Sequence, residues 1–273
     1  MSTPTNNSEI KLVVFDWAGT TVDFGCFAPV AAFLETFARH DIHLTPEQAR
    51  GPMGLHKKDH IRALLHLPEI SEQWKYTQGS SWTEDDVERL FQEHFVPMQL
   101  EAIHKHAKLI PGLLETVQAL RKQGIKIATS TGYFKKAAEL VYEAAASQGY
   151  SPDSNRCAED VPTGRPAPWM IFEQMEQLGI YPTSSVVKVG DTVPDIEEGR
   201  NAGVWTIGVS KTSSEVGLTE QEWNALPEAD KQVRIRAVEQ KLVRAGAHYV
   251  IDSIAELPLL LPKIQERIRN TDR

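Results

Sequence analysis

The stretch VVFDWAGTTVD, residues 13–23, decides the fold. Val13, Val14 and Phe15 form a short β-branched and aromatic run, the pattern of a strand buried on both faces. Asp16 follows at once, and Gly19, Thr20 and Thr21 then turn the chain. An acid is thereby placed at the end of a core strand. Beside it lies a turn whose backbone amides can cradle anionic oxygens. The apolar run predicts this strand over residues 11–15.

Outward from that strand the texture changes. From residue 29 to residue 107 the patterns are helical. VAAFLETFARH sets Val30, Phe33, Leu34 and Phe37 on one face. Thr45 with Pro46, and Thr83 before EDDVERLFQEHF, carry helix-start signals. After Pro111-Gly112 strands and helices alternate. Strands are expected at 125–128, 155–158, 185–189, 204–209 and 249–251, with helices at 113–123, 134–148, 169–178 and 196–201. The second strand is expected to end in a Thr129-Ser130-Thr131-Gly132 turn, and the fourth in Gly190-Asp191. This alternation predicts an α/β fold, a Rossmann-like doubly wound parallel sheet. The helical stretch between the first two strands is too long for a crossover. It reads as an inserted helical cap domain over residues 25–105, leaving residues 1–24 and 106–273 as the catalytic core. Residues 210–246 predict two helices between the last two strands, with no catalytic use.

The bulk numbers agree with this architecture. A chain of 273 residues is long enough for one large domain or two modest ones, and 41% hydrophobic with 24% charged residues is ordinary for a soluble protein. A net charge of -8 argues against a nucleic-acid partner, though a local positive pocket could still take an anion. Cys26 and Cys157 are too few for a disulfide framework or a CxxC metal site. The opening MSTPTNNSEIK is polar and lacks an apolar signal core, so it reads as a loose tail. No apolar run approaches the ~20 residues that span a bilayer. The expectation is a cytoplasmic protein with no membrane partner.

In an open parallel sheet, ligands bind beyond the carboxyl ends of the strands. Asp16, residues 129–131 and Asp191 each follow a predicted strand, and the Arg165 loop precedes a helix on the same side. Asp16 is the candidate nucleophile for phosphorus. Thr131 or Ser130 can donate a hydroxyl, and Arg165, in TGRPAPW, supplies a planar fork for a phosphoryl group. Asp191 and Asp195 of GDTVPD complete, with Asp16, an oxygen-only site suited to Mg²⁺. Each has a plainer reading: a turn aspartate, a solvated arginine, a helix cap at Asp195. Their convergence on one rim favours the functional one. Within the helical stretch, His60 lies three residues from Lys57 and shares its helix face. Neighbouring cations and a dry pocket would lower a lysine pKa and free the amine to attack a carbonyl, with His60 carrying protons. Spacing does not choose between Lys57 and Lys58, and a solvated pair is the plain alternative.

FDWAGTT, the TST turn, GRPAPW and GDTVPD, in this order, resemble the four motifs of the haloacid dehalogenase superfamily. Two departures stand out: Ala18 where a second Asp is usual, and Arg165 where Lys is usual. With GCFAP at 25–29, PMGLHKKDHIRAL at 52–64 and VPTGRPAPWM at 161–170, they resemble the phosphonatase family over nearly the whole chain. That resemblance implies Mg²⁺-dependent cleavage of the carbon–phosphorus bond of phosphonoacetaldehyde. Asp16 would be the nucleophile and Lys57 a Schiff-base lysine. The metal would be held by Asp16, the carbonyl of Ala18 and Asp191, with Asp195 in support. Met53, Gly132 and Tyr133 would join Thr131 and Arg165 around the substrate, although gap-filling explains Met53 and core packing explains Tyr133 equally well. A homodimer joined through the cap helices is also implied, while Cys26 reads as structural. The chemistry is consistent with Ala18. A departing oxygen needs an acid, whereas a departing carbon needs an electron sink, and a protonated imine is one. The alternatives are a phosphomonoesterase or phosphomutase of the same superfamily, and a non-catalytic phosphate-binding protein.

Overall fold

β1 (Leu12–Phe15) lies inside a six-stranded, all-parallel sheet of order β3-β2-β1-β4-β5-β6. The other strands are β2 (Lys126–Thr131), β3 (Ser154–Cys157), β4 (Val186–Gly190), β5 (Trp205–Val209) and β6 (Tyr249–Ile251). The structure, a computed structural model, describes residues 9–270; residues 1–8 of the predicted loose tail lie outside them. Alternate β1 side chains enter opposite layers, as the period of a strand requires. Val13 and Phe15 join the larger core with Leu113, Leu120, Val141 and Leu261. Leu12 and Val14 pack with Ile171, Met175 and Val204. Full burial of such side chains stabilises by roughly 1.5–3 kcal/mol each. This is why the run at residues 12–15 has no polar face.

Seven helices separate β1 from β2. They are α1 (Phe27–Ala38), α2 (Pro46–Arg50), α3 (Lys57–Leu65), α4 (Pro68–Gln78), α5 (Glu84–Arg89), α6 (Val96–His106) and α7 (Leu113–Lys122), with a π-helical turn joining α5 to α6. Thr45 and Thr83 cap their helices as their sequence signals predict, each accepting from the backbone three residues on. Phe33, Phe37, Ile61, Leu64 and Phe95 are buried among these helices, in a core continuous with that of Val13 and Phe15. In the remainder are α8 (Lys135–Ser147), α9 (Trp169–Leu178), α10 (Val193–Asn201), α11 (Glu220–Ala225), α12 (Glu228–Ala245) and α13 (Leu257–Arg269). Among the described residues no helix is long and apolar enough to cross a membrane.

Two expectations shift. Residues 129–131, expected as a turn, continue β2 because they pair with Asn155, Arg156 and Cys157 of β3. Helix α10 starts at Val193, ahead of the expected 196, because Thr192 and Asp195 form a capping box with Pro194 in the first turn. The two helices expected within 210–246 are α11 and α12. Ile235, Val238 and Leu242 of α12 pack with Ile196 and Trp223.

Candidate active site

β1 leaves the sheet between β2 and β4, where the strand order reverses, and Asp16 is the first residue past its end. Its N–H donates to the Val189 carbonyl (2.9 Å), so the residue is fixed to the end of β4. The turn then folds back, with the N–H groups of Thr20, Thr21 and Val22 all directed at the Trp17 carbonyl. Gly19 sits at φ +87°, and a Cβ there would lie 2.6 Å from Asp191 Oδ2. The turn can therefore press against Asp191 only with glycine at this position. Asp191 accepts from Thr20 Oγ1 (3.2 Å) and from the Ser214 N–H (2.8 Å).

Carboxylate oxygens of Asp16, Asp191 and Asp195 come within 4.8 Å of one another, all buried. Burial, reinforced by Asp195 and opposed by Arg165, pushes Asp16 up to about 6. Burial and the charges of Asp16 and Asp195 push Asp191 well above the carboxylate range. Asp195 is just as buried, yet Arg165 and Lys188 hold it below its ordinary value. Arg165 fans its guanidinium across the cluster: Nη2 to Asp16 Oδ1 (2.8 Å), Nη1 to Asp195 Oδ1 (2.8 Å) and Nε to Glu198 Oε2 (3.0 Å). Nη2 also donates to both oxygens of Ser130. Its Nε and Nη2 hydrogens are committed to Glu198, Asp16 and Ser130, so the arginine positions carboxylates at least as much as it can meet a phosphoryl group. Four carboxylates thus face two cations, Arg165 and Lys188. A dry, all-oxygen cluster richer in acids than in cations fits a hard divalent cation.

The cap supplies the other wall. Lys57, the first residue of α3, is 3% exposed. Its Nζ lies 3.8 Å from Met53 Sδ and 5.2 Å from the Tyr133 ring centre. Burial lowers its pKa, which makes the amine easier to free. Lys57, Met53, Thr131, Gly132, Tyr133 and Arg165 line one cavity together with Asp16 and Ala18. Asp191 and Asp195 stand behind it rather than on it. Lys58 turns away to Glu88 (2.5 Å), so geometry separates the two lysines where spacing does not. His60 is not on the cavity wall. It stacks on Phe33 at 3.8 Å, with Nε2 bonded to the Ala49 carbonyl (3.0 Å). Burial and then Lys57 keep it well below the usual histidine range, hence neutral.

The cavity holds only about 20 Å³ of free space, room for about one water, so cap and core are closed on each other. A Cβ on Gly132 would collide with the Leu55 carbonyl of the cap. Gly132→Ala is therefore expected to hold the cap off its seat. Activity should fall about 10²-fold, the scale of a 1 Å misplacement, with the circular dichroism spectrum unchanged.

Several participants escaped the sequence. Cys26, read as structural, is in the cavity wall. The segment after β5, given no catalytic use, carries the Ser214 N–H and Ser213 hydroxyl that bind Asp191. Lys188 and Glu198 were not singled out. A lysine inside the run VVKVG was the available signal, since a charge in a doubly buried strand needs partners.

The rim of acids at the switch point and the cap above it define a haloacid dehalogenase-like hydrolase, and the model of that family matches residues 10–203. A phosphonoacetaldehyde hydrolase of Syntrophobacter fumaroxidans is 49% identical over 257 residues, 94% of this chain and 92% of its own. One of Bacillus cytotoxicus is 45% identical over 259 residues, 95% and 98% of the two chains. The crystal structure of a phosphonoacetaldehyde hydrolase-like protein from Oleispira antarctica superposes with a TM-score of 0.95 at 39% identity, covering 99% of this chain and 98% of that one. The chain belongs to the phosphonoacetaldehyde hydrolases, a family of enzymes within that class.

Proposed function

We propose that the protein hydrolyses the carbon–phosphorus bond of phosphonoacetaldehyde to acetaldehyde and phosphate. The observation that carries this is one closed cavity. It holds a buried amine, Lys57, and a buried carboxylate, Asp16, with Ala18 offering no acid between them. The Lys57 amine adds to the aldehyde and expels water, leaving an iminium β to phosphorus. Asp16 attacks phosphorus, the C–P electron pair moves into the iminium, and an enamine departs. Protonation at carbon and hydrolysis release acetaldehyde and restore Lys57. Water then cleaves the aspartyl phosphate. Thr131 and the amides of Trp17 and Ala18 hold phosphoryl oxygens, since those of residues 19–21 are bonded within the turn, while Arg165 fixes Asp16 in line. Asp16, Asp191, Asp195 and the Ala18 carbonyl are the proposed holders of Mg²⁺, which would neutralise phosphoryl charge. His60, neutral and three residues from Lys57, acts on the imine steps only if the cap shifts. Residues 25–105 act as the cap, which opens to admit substrate and closes to exclude water from the imine.

Borohydride added with phosphonoacetaldehyde is expected to leave a reduced adduct on Lys57, mapped by mass spectrometry. An unlabelled protein, or an adduct on Lys58, overturns the proposal. A phosphomonoesterase would instead turn over simple phosphate esters and be indifferent to Lys57→Ala. The resemblance that implies this mechanism also implies a homodimer joined through the cap helices. Light scattering should then give twice the mass of one chain.

A further inference from the structure

Lys188 is the only charged residue of β4, VVKVG, and is completely buried. Its register partners are Val14 in β1 and Thr206 in β5, so it sits mid-sheet. Apolar replacement of a buried ion pair is often neutral or stabilising, so stability alone does not explain a lysine here. Its surroundings do. Nζ lies 2.8 Å from Ser130 Oγ, 2.9 Å from Asp195 Oδ1 and 3.1 Å from Glu198 Oε2. Glu198, on α10 and equally buried, accepts on the same Oε2 from Ser130 Oγ (2.9 Å) and Arg165 Nε (3.0 Å). Neither residue lines the cavity. Their neighbours do the contact work: Arg165 on Asp16, and Asp195 within the aspartate cluster.

We propose that Lys188 and Glu198 are positioning residues that form a charge-setting pair. Together they fix how tightly the aspartate cluster holds its divalent cation, and Glu198 also anchors the Arg165 fork on Asp16. This rests on the Mg²⁺ site proposed above. The pair's two charges cancel, so together they leave the charge of the cluster unchanged. Loss of Lys188 alone makes the cluster one charge more negative, and loss of Glu198 alone makes it one charge less negative. Between buried groups such changes are weakly screened and carry over several ångströms.

The two single variants should therefore move cation affinity in opposite directions. Calorimetric titration of the purified, substrate-free protein with MgCl₂ is expected to show Lys188→Met binding roughly tenfold tighter, and Glu198→Gln roughly tenfold weaker. The double variant, with its charge balance restored, should return to within about threefold of the parent. Turnover behaves differently. Glu198→Gln leaves Arg165 Nε only a neutral acceptor and loosens the fork on Asp16, so kcat should drop while KM changes little, even at saturating Mg²⁺. A purely structural role would shift both single variants the same way. If Lys188→Met does not fold, Glu198→Gln and the double variant still decide, because only charge compensation lets the second substitution repair the first. Shifts of equal sign, or a double variant weaker than Glu198→Gln, overturn the charge-setting pair. A parent protein that takes up no Mg²⁺ overturns the metal site itself, and the pair with it.

Discussion

Lys57→Met is expected to lower turnover of phosphonoacetaldehyde by at least about 10³-fold and to abolish the borohydride adduct, while Lys58→Met stays within about threefold of the parent. The two lysines differ in surroundings more than in sequence. Lys57 is closed in beneath Met53 and Tyr133, whereas Lys58 pairs with Glu88 at 30% side-chain exposure. Burial keeps the Lys57 amine below its ordinary value, so more of it is free near neutrality. The sign for activity follows: kcat/KM should fall as pH drops through that lowered pKa, because the protonated amine cannot attack the aldehyde. Lys57→Arg should be as inactive as Lys57→Met, since a guanidinium stays protonated and forms no imine. Stability should move the other way. Among the described residues no carboxylate lies within ion-pair distance of Lys57, so methionine of similar shape removes a buried charge that no salt bridge holds. A melting temperature raised by about 2 °C or more in Lys57→Met would mark the lysine as kept for chemistry at a cost to the fold.

How far the sequence could be read depended on whether a feature is local. β1 was legible because four consecutive apolar residues before an aspartate have few other uses, and α2 and α5 because Thr45 and Thr83 announce their own helices. The placement of Asp16, Thr131, Arg165 and Asp191 near one rim also followed from topology, since each closes or precedes an element of a parallel sheet. What pairing decides was less legible. Nothing in Thr129-Ser130-Thr131 alone says that they continue a strand; their bonds to β3 do. Nor does a Lys-Lys pair say which amine is buried, because the answer lies in where α3 meets Tyr133. Ser130 is the sharpest case. It is as plausible a phosphoryl donor as Thr131 by spacing, yet its hydroxyl is directed at Glu198 and shared with Lys188 and Arg165, away from the cavity. Long-range ion pairs leave little periodic trace in a sequence, so the network behind the site emerges only from the fold.

Asp16→Asn should cost more than any other change, about 10⁴-fold or greater in kcat. An amide is a poor nucleophile towards phosphorus and cannot form the aspartyl phosphate. Geometry should survive: the amide oxygen can still accept from Arg165 Nη2, which lies 2.8 Å from Asp16 Oδ1, and the backbone tie to Val189 is untouched. Cation affinity should fall, because the cluster loses one of its three clustered carboxylates. The informative consequence is that the two chemical stages come apart. Imine formation needs Lys57 and the aldehyde but no attack on phosphorus, so Asp16→Asn should still capture substrate. Borohydride should then leave on Lys57 an adduct that retains the phosphonate, whereas the parent protein, having cleaved the bond, should carry an ethyl group there. Loss of the adduct in Asp16→Asn would mean that the carboxylate is needed before the C–P bond is touched, and the order imine first, displacement second would have to be abandoned. An intact phosphonate adduct would place Asp16 at the bond-breaking step and Lys57 ahead of it, the division of labour that a cavity with Ala18 in place of an acid requires.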